Sequence, residues 1–172
     1  MLKLLGMGVM VSGCIGFGFY KGNQCKRRRE ELLELKKMML LLKGEIKYQL
    51  TPLPEALSVV GKKLNSPFGK LLEKMGKELN SHKTKGIYPI WSTYIKELEG
   101  RSALLKEDRK ELLELGERLG GLDRETQLGA LTQYEQLLDF TLDEVQTTLS
   151  QKVKLCHTLG ITGGLFLFIL LL

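Results

Sequence analysis

Few residues of this chain are placed to do covalent or redox chemistry. The two histidines, His82 and His157, stand far apart, one in a polar stretch and one beside an apolar run. Neither has a second histidine at metal-ligand spacing. The three cysteines, Cys14, Cys25 and Cys156, lie within or beside apolar runs and do not form the framework of a disulfide-stapled domain. No Gly-rich phosphate loop closing on Lys-Ser or Lys-Thr is present, and no nucleophile elbow. The Gly120-Gly121 pair lacks the strand that must precede a dinucleotide-binding turn. An enzyme needs a convergent set of reactive groups. None is legible here, so the expectation is no catalytic residue, no cofactor and no metal.

What remains is a polar constellation suited to non-covalent contact. Residues Gly116 to Gln127 read Gly-Glu-Arg-Leu-Gly-Gly-Leu-Asp-Arg-Glu-Thr-Gln. Gly120 and Gly121 are expected to stop one helix in left-handed C-cap geometry. Asp123 then offers a side-chain oxygen to the first N–H groups of the next helix. Glu117, Arg118, Asp123, Arg124 and Glu125 make a charged rim around that corner, the candidate partner-binding residues. The plainer expectation is that they only cap helices and face solvent.

Helices must hold that corner. Leu105, Leu112, Leu115 and Leu119 recur at helical intervals before it, and Leu128, Leu131, Leu138, Leu142, Val145 and Leu149 after it, with Glu135 interrupting the second seam. Earlier, Leu32, Leu35, Met39, Leu42 and Ile46 fit one helix face. Pro52 and Pro54 break that helix and open the next, which carries Ala56, Leu57, Val60 and Leu64 on one face. After Asn65-Ser66-Pro67, a third face holds Phe68, Leu71, Leu72, Met75 and Leu79. A fourth holds Ile87, Trp91, Tyr94, Ile95 and Leu98, with Trp91 as a core anchor. Strand alternation is nearly absent. The fold expected is all-α: an antiparallel six-helix bundle flanked by an N-terminal and a C-terminal transmembrane helix.

The two ends supply those flanks. Leu2 to Tyr20 carries one charge, Lys3, and Leu155 to Leu172 carries none if His157 is neutral. Each run is long enough for the hydrocarbon core at about 1.5 Å per residue. Lys26, Arg27, Arg28 and Arg29 follow the first, and Lys152 and Lys154 precede the second. Basic residues on the inner side of each span keep the centre in the cytoplasm and both termini outside. Gly8, Ser12 and Gly16, with Gly160 and Gly164, put small residues at four-residue spacing where span helices could pack closely. The expected domains are a span at 1–20, a cytoplasmic bundle at 21–154 and a span at 155–172.

The formal net charge is +6 over 172 residues, with a pI near 9.2. Much of that excess sits beside the apolar ends, where it would meet anionic lipid. Zinc-finger spacing and RNA-binding aromatic motifs are absent, so the partner expected is the bilayer and not nucleic acid.

Three stretches together resemble the stage III sporulation protein AB family of endospore-forming Firmicutes. They are Met1-Leu2-Lys3-Leu4 running into a glycine-rich run, Glu45-Ile46-Lys47-Tyr48 followed by Thr51-Pro52-Leu53-Pro54-Glu55-Ala56, and Gly116 to Gln127. The resemblance implies a membrane protein of the machine joining mother cell and forespore, similar to the inner-membrane platform proteins of type II secretion and type IV pili. It implies as partners a secretion-type ATPase on the mother-cell side and other membrane proteins of a channel complex. It leaves room for a homo-oligomer. The competing reading is a two-span helical scaffold or signalling adaptor with no ATPase partner.

Overall fold

In a computed structural model of the protein, every regular element among the described residues is an α-helix. The backbone is described for residues 2–81, 86–121 and 123–171, and side chains for 16, 20–81, 86–121, 123–148, 158 and 162. The helices are α1 (Leu2–Lys47), α2 (Leu53–Gly61), α3 (Phe68–Ser81), α4 (Ile87–Lys96), α5 (Lys106–Leu119) and α6 (Arg124–Leu171). The chain divides into two units, one of residues 1–29 and 143–172 and one of residues 30–142.

Within the second unit the core forms on α1. Leu32, Leu35, Met38, Met39, Leu42 and Ile46 are all buried, the expected seam with Met38 added. Such a stripe at three- and four-residue intervals is the face a helix must cover to fold. Leu53, Ala56, Leu57 and Val60 of α2, and Phe68, Leu72, Met75 and Leu79 of α3, are buried as well. So are Ile90, Trp91 and Ile95 of α4 and Leu112, Leu115 and Leu119 of α5. Helix α6 contributes Leu131, Tyr134 and Leu138.

Helices α1 and α6 run antiparallel. Lys36 pairs with Asp139 at 2.5 Å and Lys43 with Glu135 at 2.6 Å, so rising numbers on one helix meet falling numbers on the other. Glu135, the interruption in the α6 seam, is thus answered by a lysine of α1. In the first unit, Arg29 Nε donates to Gln146 Oε1 at 2.6 Å, and Val145 is buried.

Helix ends follow from local chemistry. Pro52 precedes α2 and Pro54 lies in its first turn, where a missing N–H costs nothing. Leu50, with φ of 57°, turns the chain out of α1. Gly100, with φ of +75°, reverses it after α4, a conformation glycine adopts without a Cβ penalty. Asp108 accepts the N–H of Leu105 at 2.8 Å, half of a capping box at the start of α5.

Two expectations are corrected. Gly120 ends α5 with φ −67° and ψ −8°, right-handed values, and Gly121 is not left-handed either. The physical reason is that side chains close this end, as shown below. Leu105 is exposed, because it sits at the N-cap of α5 and not on its core face.

Glycine serves the core by close approach. A Cβ on Gly69 of α3 would lie 2.4 Å from the Leu64 carbonyl oxygen and 2.7 Å from that of Gly61. A Cβ on Gly116 of α5 would lie 2.2 Å from Cδ1 of the buried Trp91. The Trp91 indole in turn donates to the Leu112 carbonyl at 2.7 Å, locking α4 to α5. Gly116→Ala should therefore cost about 1–3 kcal/mol by overpacking. Thermal melts of the full chain in detergent should show a clear loss for Gly116→Ala and almost none for Gly129→Ala, where an added Cβ meets nothing within 4 Å.

Among the described residues no helix is long and apolar enough to cross a membrane. Gly8, Ser12, Gly160, Gly164, Lys152, Lys154, His82, His157 and Leu149 lie outside the described side chains, as does nearly all of the runs 2–20 and 155–172.

Candidate functional site

The corner between α5 and α6 is built by hydrogen bonds from both sides. At the start of α6, Asp123 Oδ2 accepts the backbone N–H of Thr126 at 2.8 Å, the expected N-cap. At the end of α5, the N–H groups of Gly120 and Gly121 reach back to the Glu117 and Arg118 carbonyls, at 3.3 Å each. The last carbonyls of α5 would otherwise lack donors. Gln127 supplies them: its side-chain amide donates to the Leu119 carbonyl at 3.4 Å and the Gly121 carbonyl at 3.0 Å. One glutamine from α6 thus closes α5, which is why neither glycine needs the left-handed region. Leu122 lies outside the described residues.

The five rim residues separate into two groups. Glu117 lies beside the Tyr88 hydroxyl and raises the titration of that phenol. Arg118 donates through Nη1 to Gln133 Oε1 of α6. Asp123 is spent on its cap. Arg124 and Glu125 are exposed, with no ion pair among the described residues. Helix α5 and the start of α6 thus bring all five to one corner, and only Arg124 and Glu125 keep their charged ends unengaged. Sequence reasoning missed Gln127 and Gln133, which hold the rim in place, and Tyr88 beside it. Gln127 alone carried a signal, as a long amide in the first turn of a helix that follows another without a proline between.

The titration of the rim follows its bonding. The Thr126 backbone N–H, and then the Thr126 hydroxyl, hold the Asp123 carboxyl below its usual range. Partial burial raises the Tyr88 phenol, and the neighbouring Glu117 raises it further. Burial likewise raises Tyr94, whose hydroxyl donates to Glu78 Oε2 at 2.8 Å.

The basic set beside the first apolar run is placed in part. Lys26 and Arg27 are exposed, Arg28 and Arg29 half-buried, and Arg29 is the residue bonded to Gln146. Gly16 is exposed, and an added Cβ there would meet nothing within 4 Å. Among the described residues no cluster of three or more His, Cys, Asp or Glu is placed to hold a metal ion.

The sequence matches the family description "Stage III sporulation protein AB" over residues 3–172. The chain belongs to that family. Its role is accordingly in sporulation. No curated protein matches the chain. A solved structure of a stage III sporulation protein AB is similar at 22% identity, covering 72% of this chain and 97% of that one with a TM-score of 0.64. That likeness is one of fold.

The Asp123 cap has a pH signature. A carboxyl whose folded value is depressed stabilises above its unfolded value, and the contribution fades as pH falls through the folded one. Asp123→Ala should lower the melting temperature by a few degrees between about pH 5 and pH 7. The gap to the native chain should narrow below about pH 4, near the unfolded aspartate value. Melts in citrate and phosphate buffers check it, and a gap that does not change with pH would remove the charged cap.

Proposed function

We propose that the protein is a non-enzymatic membrane platform component of the sporulation complex joining mother cell and forespore. In this reading it couples a cytoplasmic secretion-type ATPase to the membrane proteins of a channel. Family membership over residues 3–172 is the observation that carries the proposal. Two features support the mechanical part. Helices α1 and α6 each run unbroken from an apolar terminal segment into the core-bearing half of the chain. The α5–α6 corner sits at the start of α6, so a load applied there enters a continuous helix.

The proposed topology has two spans, 1–20 and 155–172, with 21–154 in the cytoplasm of the mother cell and both termini outside. Lys26 to Arg29 and Lys152 with Lys154 would lie at the inner lipid surface. Gly8, Ser12, Gly16, Gly160 and Gly164 would let the spans pack against each other or against a neighbour. Single cysteines added at each terminus of a chain lacking its own three should label with an impermeant maleimide in intact cells. Protection of either end would refute the topology.

The ATPase contact is proposed at the corner, on Arg124 and Glu125 with Glu117, Arg118 and Asp123 framing them. Arg124→Glu should leave the melting temperature within about 0.5 kcal/mol of native, because an acid in the first turn of α6 also suits the helix dipole. The same variant should lose capture of the ATPase in pull-downs from sporulating cells. Unchanged capture would make the corner purely structural and place the contact elsewhere.

A further inference from the structure

Helices α1 and α6 lie side by side, and their outward faces carry large apolar side chains exposed among the described residues. Leu33 is 41% exposed and Leu40 51%. They stand two turns apart, so they share one face, turned away from the buried Leu32, Leu35 and Leu42. Phe140 of α6 is 73% exposed, two positions past the buried Leu138. All three belong to the second unit. Gly44, one turn after Leu40, and Gly129, three turns before Phe140, keep the same faces flat, since an added Cβ on either meets nothing within 4 Å. Apolar side chains grouped in water mark a contact surface.

The heights of these residues match across the helix pair. Lys36 is bonded to Asp139 at 2.5 Å, and Phe140 comes one residue later, about 1.5 Å along α6. Phe140 therefore stands level with Lys36, midway between Leu33 and Leu40. It leaves that gap empty in its own chain, because it points outward. A two-fold axis parallel to the helices, set between α1 and α6, brings a second copy face to face. It exchanges the two helices and keeps every height, so Phe140 of each copy enters the gap between Leu33 and Leu40 of the other. Each contact is then made twice. Charge follows the same exchange. Helix α6 has no Lys or Arg from Glu125 to Leu142 and turns Glu135 and Asp139 toward α1. On α1, Lys37 is exposed and held at 3.5 Å by Glu34, and Asp139 keeps 49% of its side chain exposed. Lys37 and Asp139 also stand at one height, so Lys37 of one copy falls beside Asp139 of the other. The acids on this face disfavour an anionic lipid surface as its cover.

We propose that this face joins two copies of the chain in a two-fold dimer, with α1 of each lying on α6 of the other. Phe140 is the knob, the space between Leu33 and Leu40 the hole, and Lys37 with Asp139 fixes the register. The pairing uses neither Arg124 nor Glu125, so the dimer and the ATPase contact can fail separately.

The test uses the full chain with Cys14, Cys25 and Cys156 each changed to serine. Two differently tagged versions are made in one cell, one with Leu40→Cys and one with Phe140→Cys, and membranes are oxidised with copper phenanthroline. A disulfide should join the two tags. Replacing the Phe140→Cys chain by one with Lys74→Cys, on the exposed side of α3, should leave little or none. In detergent the native chain should sediment as a dimer. Its dissociation constant should rise about ten-fold or more for Phe140→Ser, as for the truncation of an interface anchor, and several-fold for Lys37→Glu. Neither variant should move the melting temperature of the diluted, dissociated chain, since both side chains are exposed. A chain that stays monomeric at every concentration overturns the proposal, and so does a dimer that Phe140→Ser leaves unchanged, which would place the contact in the apolar ends. A monomeric chain whose Phe140→Ser variant fails in sporulation also overturns it, in favour of a different protein on this face.

Discussion

Everything in the second unit is referred to one stretch of α1, residues 31–46. Its apolar stripe, Leu32 through Ile46, is buried, and its polar flank ties down the connections between the other helices. Glu34 accepts the backbone N–H of Asn65 at 2.7 Å, fixing the α2–α3 turn. Glu45 pairs with Lys63 at 3.0 Å, at the end of α2. Glu31, itself buried, accepts the N–H of Ala103 at 2.8 Å, in the link between α4 and α5. Lys36 and Lys43 reach α6. Loop backbones carry donors that must find acceptors. Here a carboxylate on a rigid helix supplies the acceptor, so loop positions are set from the core outward.

Glycine completes the arrangement by subtraction. Gly61, Gly69 and Gly76 let α2 and α3 touch backbone to backbone, because a Cβ at any of them would strike main-chain atoms within 3 Å. Gly116 makes room for the Trp91 ring, and that ring meets the Leu112 carbonyl one helical turn earlier on α5. The corner thus begins with a packing requirement. Its first glycine seats a tryptophan, and its charged residues start one position later.

How much of this was legible depended on whether a residue's role was periodic. The seams of α1 and α3, and that of α2 as far as Val60, could be read directly, since burial repeats at helical spacing, whereas Leu64 falls past the end of α2 and is half-buried. The Asp123 cap was legible too, because capping is a local rule. Missing were the roles set by a distant partner. Gly120 and Gly121 looked like left-handed stops because nothing local reveals that Gln127 closes α5 from the next helix. Leu105 shared the spacing of Leu112 and Leu119, yet helix α5 begins after it. Tyr134 fell outside the leucine seam of α6, although it is as buried as the seam. The left-handed backbone fell instead at Gly100 and at Leu50, the second a residue type that rarely adopts it.

The corner shares hardware with its neighbouring helices, and this bears on what a contact there could do. Arg118 belongs to the rim, but its bond to Gln133 also ties α5 to α6. Glu117 neighbours Tyr88, at the start of the helix that carries Trp91. Trp91 is bonded to the α5 backbone beside Gly116. A partner engaging the exposed Arg124 and Glu125 would therefore press on a joint already braced to α4, α5 and α6. Such a joint has little slack, because close-packed interiors transmit strain and do not absorb it. A displacement imposed at the corner would enter the stretch of α6 that packs within the second unit. Coupling of this kind needs no reactive group at all, only a stiff helix, a braced end and a partner that moves.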